Sequence, residues 1–279
     1  MNRFNKAGLK CPICGAEVKL DNETQKTIFC TGEKRHSYDL SSSGYVNLAS
    51  PKQCGGGDTK SAVRARSAFL DGGYYAPVRD MLTSLLDEYL PKGASVVDAG
   101  CGEGYYTLRV AESGHFTMGF DISKFAVEAG AKRAKREGID NVMFAVASIF
   151  ELPLFSASCD AVVNIFAPCV EEEYSRVLKE NGILIVVQAG KKHLLGLKNA
   201  IYDNTHENDV RADLPKSLSL ICEKELSYEI SISGNENIKN LFEMTPYYWR
   251  TSQSDAKKLE YIEKLTTEID IIFSVYKKN

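Results

Sequence analysis

The spacing of apolar positions takes three characters in turn along the chain. In EVKL (17–20) and QKTIF (25–29), polar and apolar residues alternate with the period of two that suits a short hairpin. Segment 61–70 and a second stretch ending near residue 90 carry the wider spacing of amphipathic helices, separated by the turn DGGYY at 71–75. From residue 94 onward, short apolar runs alternate with helical patterns. Strands are predicted over 95–99, 116–120, 142–147, 160–166 and 183–188, with helices over 105–112, 124–138 and 171–179 between them. Two closing strands follow at 223–232 and 268–276. Strands that alternate with helices predict an α/β fold built on a largely parallel, Rossmann-like, seven-stranded sheet.

Composition narrows the class. The 279 residues are 44% hydrophobic and 25% charged, ordinary for a globular protein. No apolar run reaches the length needed to span a bilayer and no charged-then-apolar leader opens the chain, so the expectation is a cytoplasmic protein with no membrane partner. The net charge is −3, but it is unevenly placed. Residues 1–70 hold 11 Lys and Arg against 6 Asp and Glu; the remainder holds 23 against 31. A basic front end on an acidic body suits a module that touches phosphates, although small metal domains also carry surplus lysine.

Three of the eight cysteines fall within the first 30 residues. Cys11 and Cys14 form a Cys-x2-Cys knuckle, and Cys30 with His36 follows after 15 intervening residues. Two thiolates on one tight turn and the second pair complete a tetrahedron, the ligand set of a structural zinc ion. His36 is the favoured fourth ligand. The other cysteines (Cys54, Cys101, Cys159, Cys169 and Cys222) show no framework spacing and are expected as reduced thiols. Residues 1–50 are therefore expected as a zinc-binding module, 51–90 as a flexible linker with helices, and 91–279 as the catalytic domain. Within the linker, QCGGGD (53–58) places three glycines in a row and predicts a flexible joint.

The first strand of the α/β region ends in Asp98 and runs into Gly100-x-Gly102-x-Gly104, with Glu103 inside the loop. Glycines there let the backbone approach a ligand closely. The spacing departs from the dinucleotide fingerprint. A carboxylate at position 98 suits the amino group of S-adenosylmethionine, and Asp121, ending the second strand, suits its ribose hydroxyls. Ser148, after the third strand, falls where an adenine rests. Loop, acids and strand order together predict a class I methyltransferase fold.

Further segments run almost end to end: GYVNL from 44, ARSAFLDGGYY over 65–75, DAGCGEGYYT over 98–107, FAPC over 166–169, HLLGLK over 193–198 and MTPYYWR over 244–250. With the Cys11, Cys14, Cys30 and His36 set, the chain resembles the 23S ribosomal RNA guanine-N(1) methyltransferases of the RlmA type, which include macrolide-resistance relatives. Its Cys14–Cys30 and Cys30–His36 spacings are longer than the family's, which alters the hairpin rather than the ligation. The resemblance implies that the zinc module helps to recognise RNA, that the partner is 23S ribosomal RNA, and that the product is N(1)-methylguanosine in a hairpin loop. It also implies a cofactor pocket touched by Tyr75, Gly102, Glu103 and His193. A second copy of the chain, as a homodimer, is a further candidate partner.

Methyl transfer to guanine N(1) needs an aligned base and an acceptor for the N(1) proton. Asn164, Phe166 and Trp249, with Tyr247, are the candidates to hold the base, and Glu103 is the nearest nameable proton acceptor. Two alternatives stay open. Cys169, in FAPC, could act as the nucleophile of a cytosine-C(5) RNA methyltransferase, although the EEE that follows it would raise its thiol pKa. A small-molecule methyltransferase or a cofactor fold that only binds RNA would fit the same sheet.

Overall fold

The computed structural model describes residues 2–50, 56–210 and 215–279. In chain order it contains α1 (Arg3–Lys6), β1 (Val18–Leu20), β2 (Thr27–Cys30), β3 (Ser37–Asp39), β4 (Val46–Asn47), α2 (Lys60–Asp71), α3 (Ala76–Tyr89), β5 (Ser95–Ala99) and α4 (Tyr105–Glu112). There follow β6 (Phe116–Asp121), α5 (Lys124–Glu137), β7 (Val142–Val146), β8 (Cys159–Ile165), α6 (Glu171–Val177), β9 (Leu178–Ala189) and α7 (Leu195–Ile201). The chain closes with β10 (Ser219–Ser233), α8 (Asn235–Glu243), α9 (Gln253–Lys257), a 3-10 turn at Lys258–Tyr261 and β11 (Lys264–Lys277).

The helices begin where the chain supplies caps. Thr59 accepts from the Ala62 N–H at the start of α2, and Ser123 accepts from Ala126 at the start of α5. α5 ends at Gly138, whose φ of 70° is the left-handed cap for which glycine carries no steric cost.

The large sheet has the order β10-β11-β9-β8-β5-β6-β7-β4. The seven strands expected from the sequence are all present, parallel through the centre and antiparallel where β11 inserts between β9 and β10. The eighth strand is new: β4, from the N-terminal region, adds itself in parallel to β7, pairing Val46 with Ala145 and Asn47 with Val146. A two-residue strand carries too little periodicity to be read from the chain.

The central strands bury both faces, as parallel strands do. One face, with Val96, Val163, Ile185 and Val187, packs under α2, α3, α7 and α8. The other face, with Val97, Met118, Phe120, Val162 and Val186, packs against α6 and the N-terminal region's own apolar residues, including Phe4, Leu9, Ile28 and Val46. The small β1-β2-β3 sheet thus shares a core with the large sheet. Its attachment is also polar: Lys10 N–H donates to Pro153 O at 2.8 Å, and the Arg3 guanidinium donates to Val142 O at 3.3 Å. The flexible joint expected over 53–58 lies partly outside the described residues. Of its last part, Asp58 O accepts from Ser123 Oγ at 2.8 Å, which fastens it to the start of α5. Among the described residues, no helix is long and apolar enough to cross a membrane.

Candidate cofactor cavity and metal centre

A cavity of about 970 Å³ opens at the carboxyl ends of β5, β6, β8 and β9, the edge at which open α/β sheets hold ligands. Of the residues expected to hold the cofactor, Tyr75, Asp98, Gly100, Gly102, Glu103, Asp121, Ser148 and His193 all line it. Gly104 does not. Its φ is +80°, and a Cβ there would meet the Phe144 ring at 2.8 Å, so this glycine lets α4 sit close to the sheet. Gly100 has the loop's other close approach: at φ +86°, a Cβ would lie 2.8 Å from that of Ala167 on the opposite wall.

Three carboxylates surround the glycine loop. Asp98 accepts from Thr107 Oγ1 at 2.6 Å through one oxygen, while Oδ1 has no hydrogen-bond partner among the described residues. Burial pushes its carboxyl up to about 7, against the pull of the Thr107 bond and helped by the charges of Asp121 and Glu103. Asp121 accepts from the Gly102 N–H at 3.0 Å and the Ser123 N–H at 2.7 Å. Burial raises its pKa despite both bonds.

Glu103 is also buried and raised, with Arg66 as the main opposing influence. The Arg66 guanidinium stands 3.6 Å from Glu103 and 2.5 Å from Asp58, so one cation on α2 joins the linker to the cofactor loop. In the sequence Arg66 is one arginine of the 61–70 helix, marked only by its place in the ARSAFLD run.

On the far side, Tyr75 Oη lies 3.2 Å from His193 Nε2. The Asp270 N–H donates to His193 Nδ1 at 3.3 Å, which assigns the ring proton to Nε2. Burial holds His193 down to about 4, so the imidazole is neutral. Phe166 stacks on it, with ring centroids 5.9 Å apart and planes within 15°.

The expected base-holding set divides. Phe166 lines the cavity and is 41% exposed. Asn164 is buried behind the wall, its amide donating to Pro168 O at 3.1 Å and Tyr174 Oη at 2.9 Å, so it shapes the loop after β8. Trp249 is 64% exposed and packs edge-on against Tyr248, outside the cavity; its neighbours Tyr247 and Arg250 line it instead. Cys169 is also outside the lining, although Ala167 and Pro168 are part of it; its side chain packs toward the face that carries α6. Gln188, Asn208 and Asp209 line the wall near His193 without having been singled out. Each is an ordinary residue type in an unremarkable local pattern.

The metal set converges as expected. The ligand atoms of Cys11, Cys14, Cys30 and His36 all lie within 4.8 Å of one another. Cys14 and Cys30 Sγ are 3.7 Å apart, and His36 Nδ1 lies 3.4 Å from Cys30 Sγ and 3.6 Å from Cys11 Sγ. Tetrahedral zinc, at about 2.3 Å from sulfur and about 2.0 Å from nitrogen, needs ligand separations of roughly 3.5–3.8 Å. The cluster is compatible with zinc on both donor type and spacing. Tyr38 Oη at 3.0 Å from Cys11 Sγ supplies the outer hydrogen bond that such thiolates use. The seven described cysteines are free thiols, with no disulfide among them.

The Methyltransferase domain family matches residues 90–261. The 23S rRNA (guanine(748)-N(1))-methyltransferase of Streptomyces fradiae is 34% identical over 198 residues, covering 69% of this chain and 67% of that enzyme. A Bacillus subtilis protein assigned to the 23S rRNA guanine-N(1) class is 26% identical over 283 residues, covering 95% of this chain and 96% of the relative. Among solved structures, the YcgJ protein from Bacillus subtilis aligns with a TM-score of 0.48 at 16% identity, over 71% of this chain and 97% of that one.

Proposed function

The chain belongs to the 23S rRNA guanine-N(1) methyltransferases, and on that premise we propose how its own residues divide the work of methylating a guanine in 23S ribosomal RNA. The observation that carries the division is one cavity lined both by a buried Asp98 carboxylate, one oxygen of which has no hydrogen-bond partner among the described residues, and by the exposed Phe166 ring. S-adenosylmethionine, when bound, supplies the electrophilic methyl group.

Asp98 Oδ1 would receive the cofactor's amino group and Asp121 its ribose hydroxyls, with Ser148 beside its adenine. Gly100 and Gly102 allow the loop backbone to come close. Tyr75 and His193, bonded to each other in the cavity wall, would help to hold the cofactor. Phe166 stacks the guanine, which has to leave any helix to reach it; extrusion from a hairpin loop costs least. Holding base and methyl in line supplies much of the rate. The N(1) proton has to depart. Glu103 is engaged by Arg66 at the glycine loop, whereas Asp209 stands on the wall with His193 and Asn208. Asp209, directly or through water, is therefore the better acceptor.

The N-terminal residues 1–50 form the RNA-recognising module, held together by zinc on Cys11, Cys14, Cys30 and His36. Residues 51–90 carry Arg66 and Tyr75 to the cavity, and residues 91–279 form the transferring domain. With ribosomal RNA as its substrate and no described helix fit to span a membrane, the protein is assigned to the cytoplasm.

The test is methyl transfer from labelled S-adenosylmethionine to 23S ribosomal RNA lacking the modification, with nucleoside analysis. N(1)-methylguanosine is the expected product, and Cys169→Ser should retain it. A 5-methylcytidine product that disappears in Cys169→Ser would reinstate the cysteine as nucleophile. No incorporation into RNA with cofactor binding intact would shift the substrate to a small molecule.

A further inference from the structure

We propose that the Gln188 side chain reads the exocyclic amine of the target guanine, a role that rests on the guanine reading above. In the parallel pairing of β8 with β9, Ile165 lies beside Val187. Phe166, the first residue after β8, and Gln188, still within β9, are therefore neighbours at the sheet's ligand-binding edge. Their arrangement is fixed by a 3.0 Å bond from the Phe166 N–H to Val187 O. Phe166 holds a φ of 53°, a left-handed conformation that is costly for a bulky residue and that persists where the surroundings enforce it.

Gln188 is 5% exposed and lines the same cavity, yet its Oε1 has no hydrogen-bond partner among the described residues. The sheet does not require this side chain. Gln188 sits opposite Ile272 in the β11 ladder, and that pairing uses the backbone alone. A buried amide oxygen without a donor is destabilising, and an apolar side chain of similar size would avoid the penalty. An unmet acceptor beside an exposed aromatic face matches a purine that stacks on the ring and carries a donor on its edge.

Guanine has two such donors side by side, N(1)–H and the amine on C2, whereas adenine has no amine on C2. An acceptor clamped on N(1)–H would obstruct the attacking nitrogen. The amine on C2 can stay bonded throughout the reaction, and inosine differs from guanine only in lacking it.

The decisive comparison uses two RNA hairpins spanning the modified position, one with guanine and one with inosine there. kcat/KM would be measured for the wild type, Gln188→Leu and Gln188→Glu, with the cofactor dissociation constant of each. The wild type should prefer guanine by at least about tenfold, since a site built to bond a donor rejects the analogue without it. Gln188→Leu should bring the two substrates to near parity, chiefly by slowing guanine, while cofactor binding is unchanged. Gln188→Glu, still an acceptor, should keep the preference. The assignment is overturned if the wild type treats guanine and inosine alike, or if Gln188→Leu keeps the full preference. It is equally overturned if Gln188→Leu loses cofactor binding, because the amide then serves the cofactor. Absence of N(1)-methylguanosine from the wild type would sink the guanine reading itself, while these other results sink only the role of Gln188.

Discussion

Tyr75 and His193 meet in the cavity wall, Oη to Nε2 at 3.2 Å, although they stand 118 positions apart in the sequence. The proton on Nε2 makes the imidazole the donor and the phenol oxygen the acceptor, leaving the phenol hydrogen available to a ligand. The pair ties the loop before α3 to the loop after β9.

Removing only the phenol oxygen, in Tyr75→Phe, leaves the buried His193 N–H without its partner. The expected loss is about 1–3 kcal/mol of stability, together with weaker cofactor binding. Tyr75→Ala also removes a fully buried ring and should cost about 3–5 kcal/mol. Urea denaturation and calorimetric titration with S-adenosylmethionine measure both effects. An unchanged cofactor affinity in Tyr75→Phe would detach this hydroxyl from the cofactor.

The pH dependence follows from two buried groups with opposite signs. His193 falls from 6.5 to about 4 on folding. The unfolded chain takes up that proton first, so the associated stability is complete above 6.5 and is lost as pH falls toward 4. Asp98 rises from 3.8 to about 7. The native state binds that proton first, so its contribution is complete below 3.8 and is lost as pH rises to about 7. Each slope is about 1.4 kcal/mol per pH unit within its window, so the two offset one another where the windows overlap. Asp98→Asn should expose the His193 slope, its stability dropping more steeply than the wild type's between pH 6.5 and 4. Cofactor affinity in the wild type should rise as pH passes 7 and be flat in Asp98→Asn.

Metal removal should be felt at the cofactor cavity. β4 pairs with β7, and Leu9 bridges Leu154, so the N-terminal module flanks the segment that carries Ser148 and Ile149 into the cavity. A small β1-β2-β3 sheet has too little core of its own to persist without the metal. Chelation, or Cys14→Ser, should release one zinc per chain, lower the melting temperature and weaken S-adenosylmethionine binding. Atomic emission, thermal denaturation and calorimetry report the three. Full cofactor affinity in metal-free protein would show that the module's packing does not support that wall.

Arg66 offers a charge test. Arg66→Met leaves the buried Glu103 without its nearest cation, and stranding a buried charge typically costs about 3–5 kcal/mol. Because Glu103 would escape by taking up a proton, the deficit should shrink in acid. Arg66→Lys should recover part of the loss. Stability of the three proteins at pH 5 and pH 8 decides it; a pH-independent deficit would mean that Arg66 acts through packing alone.

Local chemistry made much of this protein readable from the chain. The period of two before Cys30, the strand and helix alternation after residue 94, and the Cys11, Cys14, Cys30 and His36 spacing each depend on near neighbours. So do Asp98 before the glycine loop and Asp121 at the end of β6. These determined the fold class, a Cys3His cluster compatible with zinc and most of the expected residues that line the cavity. What tertiary structure decided were contacts between distant segments. Leu9, Ile28 and Val46 cover the sheet because its second face would otherwise be exposed, so the module is a layer of the fold. Asn164 and Trp249 looked suited to a base, but packing placed one behind the wall and the other outside it. Arg66 and Gln188 were anonymous for the converse reason. A lone arginine on a helix and a glutamine ending a strand acquire meaning only when α2 folds over the glycine loop and β9 aligns beside β8, because the charge or hydrogen-bond demand each one meets is supplied by a residue far away in sequence.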